Sequence, residues 1–300
     1  MQAILEWGLD IVRAIQTIEN PPLTVLMKAI TFLGSEFGFI AILVFVFWCI
    51  DERRGIKLGV TVLLSAWLNI AAKDALMQPR PYDLDPSVKR AFEPTGGFPS
   101  GHAQNSTVFW GVVGSWLRFP AGLVLAILAP LAVSFTRLYL GVHFPTDLAG
   151  GWVIGGLVLA VYFAFGNLLE SVFRAVNGRI RILAVAVVAY AMNAFTPAHT
   201  NLGGAFFGAG AGYLLMTARW PFSASRAADG GAPTAAARAL RFVLGIVVAA
   251  LLYVGLKAVL PAEGSRWYAL GRFCRYAALG AWATAGAPWV FLRLKLAGSR

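Results

Sequence analysis

Three short polar segments interrupt an otherwise apolar chain of 300 residues, and their side chains suit phosphate chemistry. They are the segment from Lys73 through Arg80 to Pro81, the tetrapeptide Pro99–Ser100–Gly101–His102, and the segment from Arg137 through His143 to Asp147. Two of the three histidines of the chain lie in these segments. Charged groups are costly in or near a bilayer, so such segments in an apolar chain indicate a functional site.

The tetrapeptide can begin a helix. A serine at the N-cap followed by a glycine leaves backbone N–H groups free at the positive end of the helix dipole, and that arrangement binds anions. Gly101 would allow a phosphate to approach the backbone closely, and His102 would lie in the first helical turn. Taken alone, the tetrapeptide is more typical of a turn with a helix cap.

Lys73 and Arg80 add two cations. Pro79 and Pro81 hold Arg80 in a stiff extended segment, and its planar guanidinium matches the oxygens of a phosphate. Lys73 considered alone is equally typical of a lysine that anchors the end of a membrane span.

The third segment pairs a histidine with a carboxylate four residues later. Pro145 separates them, so we expect His143 in a loop and Asp147 in the first turn of the next helix. The carboxylate can then accept the Nδ1–H of the imidazole, which leaves Nε2 as a nucleophile. A loop histidine paired with a helix cap is the alternative. Arg137 supplies a third cation, and no acidic cluster with metal-ligand spacing accompanies the segments, so we expect phosphoryl transfer without a metal or other cofactor.

The composition excludes an ordinary soluble domain. Hydrophobic residues make up 58% of the chain and charged residues 13%, against about 25% charged residues in soluble domains, and the mean hydropathy is +0.69. We therefore expect an all-α, polytopic membrane protein. The net charge of +11 lies mostly at the ends of apolar runs, where membrane anchors belong, so nucleic acid is not an expected partner.

Nine apolar runs have the length and composition of spans. They are Glu36–Asp51, Lys57–Lys73, Gly101–Arg118, Pro120–Tyr139, Asp147–Gly166, Arg181–Thr196, Gly203–Arg219, Leu240–Leu260 and Gly271–Leu292. Residues 1–35 are predicted to be an amphipathic, interfacial segment in which Pro21 to Leu33 form a half-buried helix. Residues 36–166 are predicted to form the catalytic core, and residues 167–300 an extension with a flexible linker near 221–237.

Loop charge orients these predicted spans. Most lysines and arginines fall on one side, which we expect to be cytoplasmic. An even number of crossings separates the three polar segments, so they should meet on the opposite, extracytoplasmic face. The richness in Ala, Gly and Arg favours a bacterial source, and therefore an inner membrane.

These residues resemble the type 2 phosphatidic acid phosphatase (PAP2) superfamily, whose pattern is K-x6-R-P, then P-S-G-H, then S-R-x5-H-x3-D. The first two motifs match in full, and in the third Thr136 replaces the usual serine but keeps a hydroxyl. The resemblance covers roughly Gly34 to Gly166. The layout is also similar to the lipid phosphate phosphatase and glucose-6-phosphatase branch.

The resemblance implies a metal-independent phosphatase with a phosphohistidine intermediate. By position, His143 would be the nucleophile, Asp147 its orienting partner and His102 the general acid. The groups that would hold the phosphoryl group are Lys73, Arg80, Ser100, Gly101 and Arg137.

A lipid phosphate or polyprenyl diphosphate is the expected substrate, because a site between helices at the membrane edge can hold a headgroup while the tail stays among the spans. Two alternatives remain open: a lipid phosphotransferase using the same intermediate, and a non-enzymatic lipid-binding or transport protein. The last four predicted spans could widen the lipid pocket, form a homodimer interface or serve a second function. The loop from Tyr82 to Phe98 could gate the site or be a solvated loop.

Overall fold

A computed structural model describes residues 2–300, and helices dominate it. In chain order they are α1 (Gln2–Gln16), α2 (Pro21–Leu33), α3 (Glu36–Phe45), α4 (Glu52–Leu76), α5 (Pro81–Leu84), α6 (Gly101–Gly114), α7 (Ala121–Tyr139), α8 (Pro145–Ala175), α9 (Gly178–Phe195), α10 (Thr200–Arg219), α11 (Ala235–Val259), α12 (Tyr268–Ala281) and α13 (Ala287–Arg293). Single π-helical turns, Val46–Ile50 and Trp282–Gly286, extend α3 and join α12 to α13. The only strands among the described residues are β1 (Phe222–Ser223) and β2 (Gly298–Ser299), which pair antiparallel. The predicted all-α class is confirmed.

Each of the nine predicted apolar runs coincides with a helix, but the predicted count of nine spans is not confirmed. Within residues 2–300, five helices are long and apolar enough to cross a membrane, or six if α2 and α3, bent by 52°, form one broken span. The five are Glu52–Leu84, Ala121–Tyr139, Pro145–Ala175, Gly178–Phe195 and Ala235–Val259.

The helices that fall short do so for identifiable reasons. Both α6 and α12 have 14 residues, about 21 Å of helix, which is shorter than the hydrocarbon core of a bilayer. The 20-residue helix α10 is long enough, but its five glycines lower its hydropathy.

Side-chain caps fix several helix starts. The Asn20 side chain accepts from Leu23 N ahead of α2, and Ser100 accepts from Ala103 N at the start of α6. Such a cap satisfies a backbone donor that has no partner inside the helix. Pro21 follows Asn20 at the first helical position, where its missing N–H costs nothing.

The chain forms two compact units that are not contiguous in sequence. Unit 1 consists of the residues up to Ile40 together with Leu64–Gly166, and unit 2 of Ala41–Leu63 together with Asn167–Arg300. The three-part division expected from the sequence follows chain order instead, and it stays a prediction.

In unit 1, a buried cluster surrounds the loop between α7 and α8. Its members are Leu9, Val12, Met27, Tyr82, Val88, Tyr139, Leu140, Val142 and Phe144. Helix α1 takes part in this cluster, and the Gln16 side chain donates to Val88 O at 2.8 Å and to Tyr139 O at 2.9 Å. Arg13 of α1 contacts the same region, where hydrogen bonds from Ser87 and Arg13 hold the pKa of Asp85 at about 2. The N-terminal helix is therefore fixed to the loops of unit 1.

In unit 2, the core is built around Trp48, Met216, Phe222 and Phe291. Phe222 and Ala224 are fully buried, so the segment expected to be a flexible linker is packed into the core where it begins.

Glycines allow close helix packing in both units, as the spacing of small residues predicts. A Cβ at Gly151 would meet Ser100 O at 2.7 Å, and one at Gly155 would meet Gln104 O at 2.8 Å, so α8 packs directly on α6. In unit 2, Gly204 and Gly208 of α10 lie against the backbone of α12.

Candidate active site

His143 lies in the buried loop between α7 and α8. Its Nδ1 is 3.2 Å from Oδ2 of Asp147, which stands in the first turn of α8. The same carboxylate oxygen accepts from Phe144 N at 2.9 Å. On the opposite edge of the ring, Arg80 Nη1 is 3.4 Å from Nε2.

These contacts determine the tautomer of His143. A guanidinium can only donate, so Nε2 is the acceptor and Nδ1 carries the proton that it donates to Asp147. Burial lowers the pKa of His143 well below its usual value, and the charges of the three nearby cations lower it further. The imidazole is therefore neutral near pH 7 with its Nε2 lone pair free of a proton, as a nucleophile requires.

Helix α6 begins beside this pair. Ser100 caps it, and Ser100 N donates to Asp147 O at 2.9 Å, which ties the start of α6 to the start of α8. Gly101 is needed here for a reason that the sequence does not reveal: a Cβ would meet Oδ1 of Asn69, on α4, at 2.8 Å. The glycine thus allows α4 to pack against the start of α6, whether or not a phosphate also approaches it.

His102 lies in the first turn of α6 and is partly exposed. The charges of Arg137, Lys73 and Arg80 act on its ring, and the His102 ring in turn acts on His143. The two imidazoles and the three cations therefore belong to one site.

Lys73 and Arg80 are both buried, with 5% and 2% of their surfaces exposed. Lys73 Nζ donates to Gly96 O and, at 3.4 Å, to Gly97 O. It is therefore not a lysine that reaches toward water from a span end. Arg80 Nη1 donates to Val142 O at 2.7 Å, which fixes it to the loop of His143.

Arg137 lies in the last turn of α7 and is 2% exposed. Its Nη1 donates to Thr31 Oγ1 of α2 at 2.8 Å, and its Nη2 pairs with the Glu93 carboxylate. Its Nε is buried without a hydrogen-bond partner. Thr136, the residue that departs from the sequence pattern, donates to Val133 O of its own helix.

A buried polar network supports the start of α6. Asn69 Nδ2 donates to Pro99 O at 3.2 Å and to Gln104 Oε1 at 2.9 Å. Gln104 Nε2 donates in turn to Ser65 O at 2.8 Å. Asn69 and Gln104 are 3% and 0% exposed. Each lies inside a predicted span, and an uncharged polar residue there is only a weak indication of function.

A cavity of about 230 Å³ adjoins Asp147. It is lined by Ile4, Leu5, Leu76, Gln78, Pro79, Phe98, Thr146 and Asp147. Most of these side chains are apolar, so the cavity suits hydrocarbon better than a hydrated solute.

The structure brings together all eight predicted site residues within unit 1, and their individual roles remain expectations. Sequence reasoning missed three others: Asn69, Gln104 and Thr31. Glu93 lies in the loop from Tyr82 to Phe98, for which the sequence suggested no particular contact. The ion pair that Glu93 forms with Arg137 joins residues 44 positions apart, and no local pattern signals such a contact.

Comparison with known proteins agrees with this geometry. The family model of the PAP2 superfamily matches residues 54–171, and that of the PAP2 superfamily phosphatase transmembrane extension matches residues 200–299. The chain is 31% identical to mouse sphingosine-1-phosphate phosphatase 2 over 147 residues, which covers 46% of this chain and 41% of that protein. It is also 31% identical to an undecaprenyl-diphosphatase from Sulfolobus acidocaldarius over 142 residues, covering 44% of this chain and 66% of that protein.

Among solved structures, the chain is similar to a PAP2 type phosphatidylglycerolphosphate phosphatase from Bacillus subtilis, with 25% identity and a TM-score of 0.48, over 56% of this chain and 88% of that one. The chain spans about two fifths of the length of the mouse relative. Together the two family models match more than half of the sequence. The chain is an integral membrane protein that belongs to the PAP2 superfamily.

Proposed function

We propose that this chain is a metal-independent membrane phosphatase that hydrolyses a lipid phosphate or a polyprenyl diphosphate through a phosphohistidine at His143. The observation that carries the proposal is the buried imidazole whose Nδ1 faces Asp147 and whose Nε2 faces the Arg80 guanidinium. Nε2 is the one ring atom free to attack, and it faces a cation that would attract a phosphoryl group.

The reaction has two steps. In the first, Nε2 of His143 attacks phosphorus, the N–P bond forms, and the bond from phosphorus to the lipid oxygen breaks. His102 gives its proton to that departing oxygen. In the second, water attacks phosphorus, the N–P bond breaks, and His102 takes the proton of the water. The products are inorganic phosphate and the lipid with one phosphate fewer: an alcohol from a lipid phosphate, a monophosphate from a polyprenyl diphosphate.

The cations supply the electrostatic part of catalysis. Lys73, Arg80 and Arg137 carry three positive charges next to the histidines, and charge builds on the equatorial oxygens during transfer. Asp147 keeps the proton of His143 on Nδ1 and stabilises the imidazole once Nε2 carries the phosphoryl group. Ser100 and Gly101 present the start of α6 to the same region.

A lipid substrate is supported by the chain being an integral membrane protein and by the apolar cavity next to Asp147. The names of the relatives point the same way, since they include a sphingosine-1-phosphate phosphatase and an undecaprenyl-diphosphatase. The site is proposed to face the extracytoplasmic side of a bacterial inner membrane, on the basis of the lysine and arginine distribution in the loops. Homodimer formation through the C-terminal extension is a further expectation, to be measured by the mass of the purified particle.

The test is phosphate release by purified protein in nanodiscs from phosphatidic acid, phosphatidylglycerophosphate, a sphingoid phosphate, undecaprenyl diphosphate and glucose 6-phosphate. We expect release from at least one lipid, no loss on chelation of metals, and a decrease of at least ~10⁴-fold in kcat for His143→Ala. His199→Ala, which removes the one histidine outside the proposed site, is the matched control and should retain activity.

Two results would contradict the proposal. Full activity of His143→Ala would show that the reaction does not pass through a phosphohistidine at His143. Turnover that requires a second lipid alcohol, with no free phosphate from a single lipid, would identify a phosphotransferase instead.

A further inference from the structure

A five-residue stretch covers the three cations of the site. This covering segment, Glu93 to Gly97, belongs to the loop between α5 and α6. Arg80 Nε donates to Thr95 O at 2.8 Å, and its Nη2 donates to Gly96 O at 3.1 Å. Lys73 donates to Gly96 O and Gly97 O, and Arg137 pairs with Glu93. Each of the three cations therefore donates at least one hydrogen bond to the covering segment.

The contact to Arg137 differs from the others, because its acceptor is an anion. A carboxylate and a phosphate offer the same kind of oxygen to a guanidinium, and both form charge-assisted hydrogen bonds with it. Arg137 also keeps a buried Nε without a partner. A single carboxylate therefore leaves the Nε donor of this guanidinium without an acceptor. A phosphoryl group has three oxygens and could accept from that donor as well.

The site is closed in this conformation, and the covering segment takes part in the closure because it contacts all three cations. His143 is 2% exposed, and the three cations are between 2% and 5% exposed. A phosphate ester cannot reach Nε2 of His143 unless some element moves.

Apart from its contacts to the cations, the covering segment is hydrogen-bonded to the rest of unit 1 only near its two ends. Three hydrogen bonds hold these ends. Tyr82 Oη donates to Glu93 O at 2.9 Å and accepts from Glu93 N at 3.4 Å, and Gly97 N donates to Gln78 O at 2.8 Å. Between these ends, the hydrogen bonds of the segment run to the cations themselves, and a bound phosphate would replace them.

We propose that Glu93 is an internal competitor of the substrate: its carboxylate occupies the place of a phosphoryl oxygen on Arg137, and substrate binds by displacing it together with the covering segment. The proposal rests on the proposed function in one respect, that Arg137 binds the phosphoryl group. Glu93 lies outside the three family motifs, and the proposal gives it a role in setting the affinity of the site for phosphate.

The charge of the site gives the direction of the effect. Lys73, Arg80 and Arg137 contribute three positive charges, and Asp147 and Glu93 contribute two negative ones. Loss of the Glu93 charge raises the net charge next to the histidines from +1 to +2 and removes the competing ligand. Both changes favour a bound dianion.

The experiment measures binding of inorganic phosphate, and separately of vanadate, to purified protein in nanodiscs by calorimetry. If the open state is about one tenth populated in the wild type, Glu93→Gln should lower the dissociation constant about tenfold. Glu19→Gln is the matched control, because it removes a carboxylate from an ion pair with Arg90 of the same loop without touching the three cations. It should leave the dissociation constant unchanged.

A second variant guards against a folding defect in the first. Thr95→Ala removes the contact from Arg80 Nη2 to Thr95 Oγ1 with no change of charge, and it should lower the dissociation constant by about twofold to threefold. Unchanged or weaker phosphate binding in both variants, or no phosphate binding in any variant, would overturn the proposal.

Binding of phosphate requires no turnover, so the two proposals can fail separately. If no lipid is hydrolysed but Glu93→Gln binds phosphate more tightly, the competitor stands and the proposed reaction fails. If lipids are hydrolysed but Glu93→Gln binds phosphate more weakly, Glu93 supports Arg137 and the competitor fails alone.

Discussion

Two buried arginines, Arg137 in unit 1 and Arg241 in unit 2, are held in contrasting ways. Arg241 is 0% exposed and donates to four backbone carbonyls. These carbonyls belong to Trp48, Ala224, Arg226 and Leu296, at distances from 2.6 to 3.1 Å. Arg137 is buried almost as completely, but it has a threonine hydroxyl, one carboxylate and an Nε without a partner.

The difference is the one expected between a structural arginine and an arginine with the binding role proposed for Arg137. Backbone carbonyls cannot leave without unfolding the segments that carry them, so Arg241 ties the start of α11 to three other parts of unit 2. The partner of Arg137 is a side chain on a loop, and it can be exchanged for another anion. A buried cation that is incompletely satisfied is costly to the fold, and the binding role proposed for Arg137 would account for that cost.

The largest expected effect comes from removing each arginine. Arg137→Ala should lower kcat/KM by about 10²–10³-fold, because it removes a donor that stabilises transition-state charge. Arg241→Met should lower stability by roughly 3 kcal/mol, because several buried carbonyls lose their donor, and the melting temperature should fall by about 6–12 °C. Steady-state kinetics and thermal unfolding of both variants measure the two effects.

The contrast between the two arginines would be wrong if Arg241→Met mainly lowered activity and Arg137→Ala mainly lowered stability. Arg241→Met protein that remains folded should retain its kcat/KM within a few-fold, and Arg137→Ala should unfold near the wild-type temperature. A strongly destabilised Arg137→Ala with normal turnover would make Arg137 a second structural arginine.

The pH profile gives a smaller effect with a defined sign. The pKa of His143 is lowered by burial and by the nearby cations, so the neutral ring persists until the pH falls through that lowered value. The acid limb of kcat/KM should therefore lie below pH ~6.5, the usual value for histidine.

The Arg80→Gln variant sharpens this prediction. It removes one of the charges that disfavour the protonated ring, so the acid limb should move to higher pH in the activity that remains. An acid limb above pH ~6.5 in the wild type, or a shift to lower pH in Arg80→Gln, would contradict the assignment of the limb to His143.

The smallest expected effect concerns the support of α6. Asn69→Asp keeps the size of the side chain but removes the donor to Pro99 O and Gln104 Oε1. We expect kcat to fall by about tenfold with little change in KM, because a displacement of the helix start misplaces a group that acts in the transition state. Equal loss from Asn105→Asp, whose side chain also belongs to the network, would indicate a general packing defect.

Much of the fold follows from apolar periodicity and caps. The nine apolar runs all lie in helices, and the helix expected over Pro21 to Leu33 is present, with Asn20 and Gly34 at its two ends. The number of spans was harder to predict, because α6 and α12 are too short and α10 is not apolar enough to qualify as spans. The buried Phe222 and Ala224 show why composition misjudged the linker: their place depends on distant partners such as Arg241.

The site was predictable as far as its motifs extend. Lys73, Arg80, His102 and His143 were named from their types and spacing, and the structure places them close together in unit 1; their roles stay predictions. Glu93 could not be assigned a partner, because its contact depends on how a loop folds over α7 and on no regular spacing.

Helix α1 precedes the stretch matched by the family model, yet Gln16 holds the carbonyls of Val88 and Tyr139, and Gly8 packs against Phe144, the neighbour of His143. If residues 54–171 were exchanged between relatives, the loop that carries His143 would be separated from α1, the helix that packs against it. Chimeras that transplant α1 together with residues 54–171 should therefore retain more activity than those that transplant residues 54–171 alone.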